Sequence, residues 1–135
     1  MQKIDPVYRW AGRLPAVCAD LLPTESRDRR LVCIRDVKAW TRVWQRWQGE
    51  TTQPRINFSQ QVVVIVRNVR YLNRIRFRGA TVTNAVLNVE TLETRTARPL
   101  RDQFYGLILV FDARQISAVS DGEDTIELPQ FVSPL

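Results

Sequence analysis

The sequence contains no histidine, and this absence excludes several kinds of chemistry at once. Histidine is the side chain that most often acts as a general base near neutral pH, and it shares most protein zinc sites with cysteine. Glycine is scarce as well, and neither a glycine-rich phosphate loop nor a nucleophile elbow is present. The only two cysteines lack metal-ligand spacing. We therefore predict that the protein is not an enzyme and holds no metal ion or cofactor.

Carboxylates are the remaining side chains that could carry catalysis or bind a hard cation. The cluster of Asp121, Glu123 and Asp124 lacks the spacing of a calcium-binding loop, so we interpret it as a solvated turn. Asp102 and Asp112 could act together in acid–base chemistry, but nothing in the sequence places them side by side.

Long hydrophobic runs are also missing. The longest, residues 62–66, has the length of a strand and falls far short of the roughly 18 residues that cross a membrane. The first residues lack the apolar stretch of a signal peptide. We expect a cytoplasmic protein, or a periplasmic or secreted one whose leader was removed. A chain of 135 residues, 44% of them hydrophobic, predicts a single domain over residues 1–135.

The clearest local pattern is a stripe of large apolar residues that recur every three or four positions. Its members are Val37, Trp40, Trp44 and Trp47. This spacing predicts a helix with one apolar face, beginning after the N-cap Asp36 and ending at Gly49. Such a stripe could be a stacking platform for sugars or bases, but we favour burial against a sheet, because large aromatic side chains dominate core packing.

Alternating or continuous apolar runs predict strands around this helix. They cover residues 7–10, 30–34, 60–66, 74–78, 86–92, 104–111 and 125–128. The first should be ended by Gly12 and Pro15, the stretch 16–29 should be irregular, and residues 60–66 should form a central strand buried on both faces. A bulge near Gly79 or a turn near Asn84 would explain a shift in the apolar phase. Together these elements predict an α+β domain, a mostly antiparallel sheet or sandwich with one amphipathic helix packed on it.

The net charge of +6 is unevenly distributed. No acidic residue lies between Glu50 and Glu90, whereas Arg74, Arg76 and Arg78 alternate with apolar residues that should face the core. Three guanidinium groups on one strand face would suit phosphates or an acidic partner, or would simply protect a solvated edge. We predict these arginines as the candidate partner-binding residues. A nucleic-acid-binding β domain is the alternative, although Phe77 should point away from the arginines.

The two cysteines, Cys18 and Cys33, admit two interpretations. In an exported protein they could form a disulfide that stabilises the fold by roughly 3 kcal/mol. In a cytoplasmic protein they would act as small apolar side chains.

Five segments carry a resemblance to a known family. They are IRDVKAWTRVW at 34–44, PRINF at 54–58, QVVVIV at 61–66, AVLNVE at 85–90 and FYGLILVF at 104–111. In this order they resemble the C-terminal domain of the PrcB-like family, named for a subunit associated with a bacterial protease complex, over about 34–120. The sequence departs from the family pattern at 68–73, where a glycine-rich segment is expected and no glycine occurs. The resemblance implies an exported, non-enzymatic accessory domain that binds or stabilises a partner protein.

Overall fold

The computed structural model describes residues 1–23, 27–96 and 98–129, which form two sheets and two helices. The strands are β1 (Gln2–Lys3), β2 (Tyr8–Pro15), β3 (Leu31–Ile34), β4 (Gln61–Arg67), β5 (Ile75–Thr83), β6 (Val86–Glu93), β7 (Gln103–Asp112), β8 (Ala118–Ser120) and β9 (Thr125–Glu127). The helices are α1 (Val17–Asp20) and α2 (Val37–Gln48).

The strands form a sandwich of two sheets. The first, which we call the inner sheet, has the order β2-β7-β4-β3 and is antiparallel throughout. The second, the outer sheet, has the order β1-β5-β6-β8-β9, and only the pairing of β6 with β8 is parallel. The predicted α+β class with a mostly antiparallel, sandwich-like architecture is therefore confirmed.

The centre of the inner sheet is buried on both faces, because its strands β4 and β7 consist almost entirely of apolar residues between their ends. One set of alternating side chains faces the outer sheet; it includes Val62, Val64, Val66, Leu107, Leu109 and Phe111. The other set faces the helices; it includes Val63, Ile65, Ile108 and Val110. A strand turns successive side chains to opposite faces, so only a continuous apolar run can serve two cores. This confirms the prediction that residues 60–66 form a central strand.

Helix α2 covers the free face of the inner sheet. The Asp36 side chain accepts a hydrogen bond from the backbone N–H of Lys38, and Gly49 ends the helix with a φ of 61°. Both capping predictions are thus confirmed. Trp40, Val43 and Trp44 are buried, and Trp47 packs against the same core. Within the described ranges, neither helix is long and apolar enough to cross a bilayer.

Val37 was wrongly predicted to join the buried stripe. Its side chain is 55% exposed, and Val43 takes the place in the core. Val37 is the first residue of the helix, and the buried residues begin three positions later at Trp40.

Two further predictions near the amino terminus were wrong. The strand predicted over residues 7–10 extends through Gly12, which pairs with Gly106 of β7, and ends only at Pro15. The stretch predicted as irregular contains α1, whose Cys18 is buried against the helix-side core, so the fold has a second helix. The part of that stretch at 24–26 lies outside the described residues.

The phase shift in β5 has both of the causes considered. The pairing of β5 with β6 slips between Phe77 and Gly79, which marks a bulge at Arg78. The strands are joined by Asn84 and Ala85, both with positive φ (52° and 63°), as a two-residue type I′ hairpin turn requires.

Candidate functional site

Two of the predicted arginines, Arg76 and Arg78, lie on the exposed face of β5, and Arg74 immediately precedes the strand. Arg74, Arg76 and Arg78 are exposed, whereas the intervening Ile75 is buried and Phe77 is partly buried against the core between the sheets. The strict alternation predicted from the sequence is therefore confirmed. Arg78 differs from the other two because it occupies the bulge.

These arginines take part in no ion pair within the described chain, although Glu90 of β6 lies opposite Gly79, next to the bulge at Arg78. Among the described residues, ion pairs join Arg30 to Glu93 and Asp121, and Arg114 to Asp112. None of them involves the arginines of β5. Arg76 lies opposite Leu92 of β6, whose side chain is 53% exposed. This part of the outer sheet thus presents cationic side chains beside an apolar one.

Strand β5 has an open edge next to its arginines. Its neighbour β1 pairs only with Thr81 and Val82, and the backbone N–H of Ile4 then donates to the Ala80 carbonyl. Within the described chain no strand pairs with residues 75–79 on that side. Half of the backbone polar groups along an unpaired edge point outward and are available for hydrogen bonding.

Strand β2 forms the corresponding edge of the inner sheet. Arg9, Ala11 and Arg13 pair with β7 residues whose side chains face the outer sheet, such as Leu107 and Leu109. Paired residues of neighbouring strands share a face, so these three also point toward the outer sheet, yet all three are exposed. The outer sheet therefore does not cover β2.

A groove of about 440 Å³ lies where the two sheet edges separate. Its apolar floor combines Ala11, Tyr105 and Leu107 of the inner sheet with Ile75 and Phe77 of β5. Arg9, Arg74 and Arg76 lie along its rim. We call this feature, with β2 on one side and residues 74–78 on the other, the basic groove.

A second group of arginines surrounds the segments that precede β5 and β7. There the segment around Tyr71 lies antiparallel to the segment around Pro99, held by hydrogen bonds from Leu72 N–H to the Arg98 carbonyl (2.9 Å) and from Leu100 N–H to the Arg70 carbonyl (3.3 Å). A shallow cavity of about 620 Å³ beside Pro99 is lined by Arg98, Arg101 and Asp102, so its two cations are accompanied by one carboxylate.

Sequence reasoning missed Arg9 as part of this site. The predicted strand covered only residues 7–10, because Gly12 and Pro15 were interpreted as ending it. The position of Arg9 beside Arg74 depends on long-range pairing, which no local pattern reveals.

The tryptophan stripe belongs to a cluster of aromatic rings between α2 and β2. Trp10 contacts Trp40, Trp44 and Trp47 with ring centroids 6.0, 5.5 and 6.3 Å apart. Tyr8 stacks on Trp10 at 5.6 Å. The indole N–H of Trp44 donates to the Thr51 carbonyl at 2.9 Å. Two of the three stripe tryptophans are buried, as expected of a core rather than of a stacking platform.

The structure does not form the disulfide considered for Cys18 and Cys33, and both are free thiols. They lie in different cores: Cys18 packs on the helix side of the inner sheet and Cys33 on the side facing the outer sheet. The sheet between them prevents the close approach that a disulfide needs. Burial raises the pKa of Cys18 to about 11 and that of Cys33 to about 12, so both stay protonated and weakly nucleophilic at neutral pH.

The carboxylates do not assemble into one site. Asp102 precedes β7 and Asp112 ends it, so the length of a ten-residue strand separates them. Asp121 accepts hydrogen bonds from the backbone N–H groups of Glu123 and Asp124, as in a turn, and its side chain pairs with Arg30. Among the described residues no group of three or more histidine, cysteine or acidic side chains is placed to hold a metal ion.

Comparison of the chain with protein-family models, with curated proteins and with solved structures found no match in any of the three. The resemblance to the PrcB-like family therefore stays a prediction.

Proposed function

We propose that this protein is a non-catalytic interaction domain that binds an acidic segment of a partner protein at the basic groove. The observation that carries the proposal is the juxtaposition of Arg9, Arg74 and Arg76 around an apolar floor, without a carboxylate ion-paired to any of them in the described chain. Interfaces combine an apolar centre with a charged rim in this way, and arginine is enriched in them.

The chemistry of arginine supports an acidic ligand. Its planar guanidinium presents several donors that match a carboxylate in bidentate geometry. An array of cations also speeds the capture of an oppositely charged partner, since long-range attraction steers the encounter.

A partner protein suits the groove better than a nucleic acid does. Sheets that bind single-stranded nucleic acids expose aromatic rings between their basic residues, and the bases stack on these rings. The arginines occupy the exposed face of β5. The intervening Ile75 and Phe77 point the other way, into the core between the sheets. The aromatic and aliphatic side chains form the groove floor instead, where they favour apolar side chains.

The proposal is tested by fluorescence anisotropy with a labelled octaglutamate peptide at low salt. We expect saturable binding that weakens as salt is added, because screening reduces attraction between exposed charges. The double variant Arg74→Glu/Arg76→Glu should bind the peptide about tenfold more weakly or worse, because each reversal turns an attraction into a repulsion.

The matched control is Lys38→Glu/Arg42→Glu, which makes the same change in net charge on the exposed face of α2, in the opposite layer of the molecule. This variant should retain most of the affinity. Absence of peptide binding, or an equal loss in both double variants, would overturn the proposal. Tighter binding of a uridine octamer than of octaglutamate would favour the nucleic-acid function instead.

A further inference from the structure

We infer that the acidic segment binds as an added β-strand, pairing with the open edge of β5 at residues 75–79 and closing the basic groove. This inference rests on the proposed function and specifies the conformation and the side-chain pattern of the ligand. Four observations support it, and each concerns a different property of the edge.

The first observation is a vacant strand position in the outer sheet. β1 pairs with β5 at two residues, and the chain then leaves the outer sheet to begin β2 in the inner sheet. Residues 75–79 therefore keep an unpaired edge in the described chain, directly beyond the point where β1 ends. Five residues correspond to a strand of ordinary length, about five to six residues.

The second observation is the shape of the space beside that edge. The groove of about 440 Å³ lies between the edge of β5 and the exposed inner face of β2. A strand added to β5 would turn every second side chain into this space, toward Ala11 and Tyr105. The floor residues Ile75 and Phe77 would be the cross-strand neighbours of those side chains.

The third observation is the charge on the other face of β5. The remaining side chains of an added strand would point outward, beside Arg74 and Arg76. Opposite charges on neighbouring strands stabilise pairing, whereas like charges disfavour it. The ligand that fits both faces alternates acidic residues with apolar, β-branched ones.

The fourth observation concerns which molecule fills the position. A second copy of this chain adding its own β5 would place arginines against arginines across the new pair of strands, which the same rule disfavours. The occupant that satisfies the charge is therefore an acidic segment of another protein.

The experiment compares two peptides of identical composition, one alternating (Glu-Val-Glu-Val-Glu-Val-Glu) and one in blocks (Glu-Glu-Glu-Glu-Val-Val-Val). Only the alternating peptide can present carboxylates on one face of a strand and valines on the other. We expect it to bind the full chain about tenfold more tightly or better, corresponding to the roughly 1.4 kcal/mol of a tenfold change in affinity. Hydrogen exchange should show added protection of amides within residues 75–79.

Two further peptides test the backbone hydrogen bonds. N-methylation of all the valines removes the backbone donors of one edge of the strand, and N-methylation of all the glutamates removes those of the other. In an added strand one edge faces β5 and the other faces solvent, so one modification should abolish binding and the other should preserve it.

Each outcome separates the inference from the function on which it rests. Equal binding of the alternating and block peptides, or tolerance of both N-methylations, would overturn strand addition and leave an acidic partner in place. Failure of both peptides and of octaglutamate would overturn the proposed function itself. Concentration-dependent dimerisation with protection at residues 75–79 in the absence of peptide would identify a second copy as the occupant and overturn the inference.

Discussion

Trp44 shows how much of the helix-side core depends on single residues. Its side chain is 4% exposed, and it contacts the rings of Trp10, Trp40 and Trp47. Its indole N–H also fixes the chain after α2 by donating to Thr51. The residue therefore combines apolar burial, ring contacts and a hydrogen bond, and all three are lost together when it is truncated.

We predict that Trp44→Ala lowers the free energy of unfolding by about 3–5 kcal/mol, because it removes a large buried side chain and leaves a cavity. Val37→Ala is the matched control on the same helix, and its effect should stay within about 0.5 kcal/mol, since Val37 is 55% exposed. Denaturant unfolding followed by tryptophan fluorescence or circular dichroism measures both variants. Equal stability of Trp44→Ala and the unsubstituted protein would show that the aromatic stripe is not part of the core.

At the scale of elements, local patterns in the sequence were sufficient wherever one strand or helix determines its own boundaries. The continuous apolar runs of β4 and β7 and the spacing of the tryptophans in α2 are of this kind. The extent of β2 was not predictable in this way, because Gly12 resembles a turn residue. It remains in the strand because β7 pairs with it, and at its partner Gly106 an added Cβ would lie 2.8 Å from the Leu14 side chain.

The candidate site likewise contains features that a single strand predicts and features that it does not. The exposure of Arg74 and Arg76 follows from alternation within one strand and was predicted. The basic groove depends on where β1 stops pairing and on β2 extending past the cover of the outer sheet. These are consequences of long-range pairing, which the sequence of either strand alone does not contain.

The hairpin between β5 and β6 carries a local conflict between sequence and conformation. Ala85 has a φ of 63°, in the left-handed region that side chains with a Cβ disfavour by about 1–2 kcal/mol. Glycine is the preferred residue at this second position of a type I′ turn, after asparagine at the first.

We therefore predict that Ala85→Gly stabilises the protein by about 1 kcal/mol, since relief of the left-handed strain exceeds the added entropy of the unfolded chain. The same replacement at Ala80, a buried residue in the middle of β5, should destabilise it. Thermal denaturation of the two variants provides the comparison. A lower melting temperature for Ala85→Gly would show that the Ala85 conformation is not a source of strain.

At the scale of the whole molecule, the two long edges of the sandwich differ. At the edge near β3, Arg30 joins the inner sheet to the outer one: its guanidinium contacts Glu93 at the end of β6 at 3.0 Å and Asp121 after β8 at 3.2 Å. Asn73 extends the network by donating to Glu93 at 2.7 Å. At the opposite edge, between β2 and β5, the basic groove separates the sheets. The sandwich is thus closed by ion pairs on one side and open on the other.

This asymmetry predicts that stability and partner binding can be altered separately. Arg30→Ala removes the ion-pair partner of Asp121, whose side chain is 2% exposed, and we expect a loss of about 2–3 kcal/mol, because a buried carboxylate without its partner is costly. Arg114→Ala removes an exposed ion pair with Asp112 and should not measurably change the unfolding midpoint. At temperatures where it is folded, Arg30→Ala should retain octaglutamate binding, because Arg30 itself does not line the groove and reaches it only through Glu93, the cross-strand partner of Ile75. Unchanged stability of Arg30→Ala would show that the Arg30 network does not hold the sheets together. A matching loss of peptide affinity in the folded variant would show that the two edges are coupled.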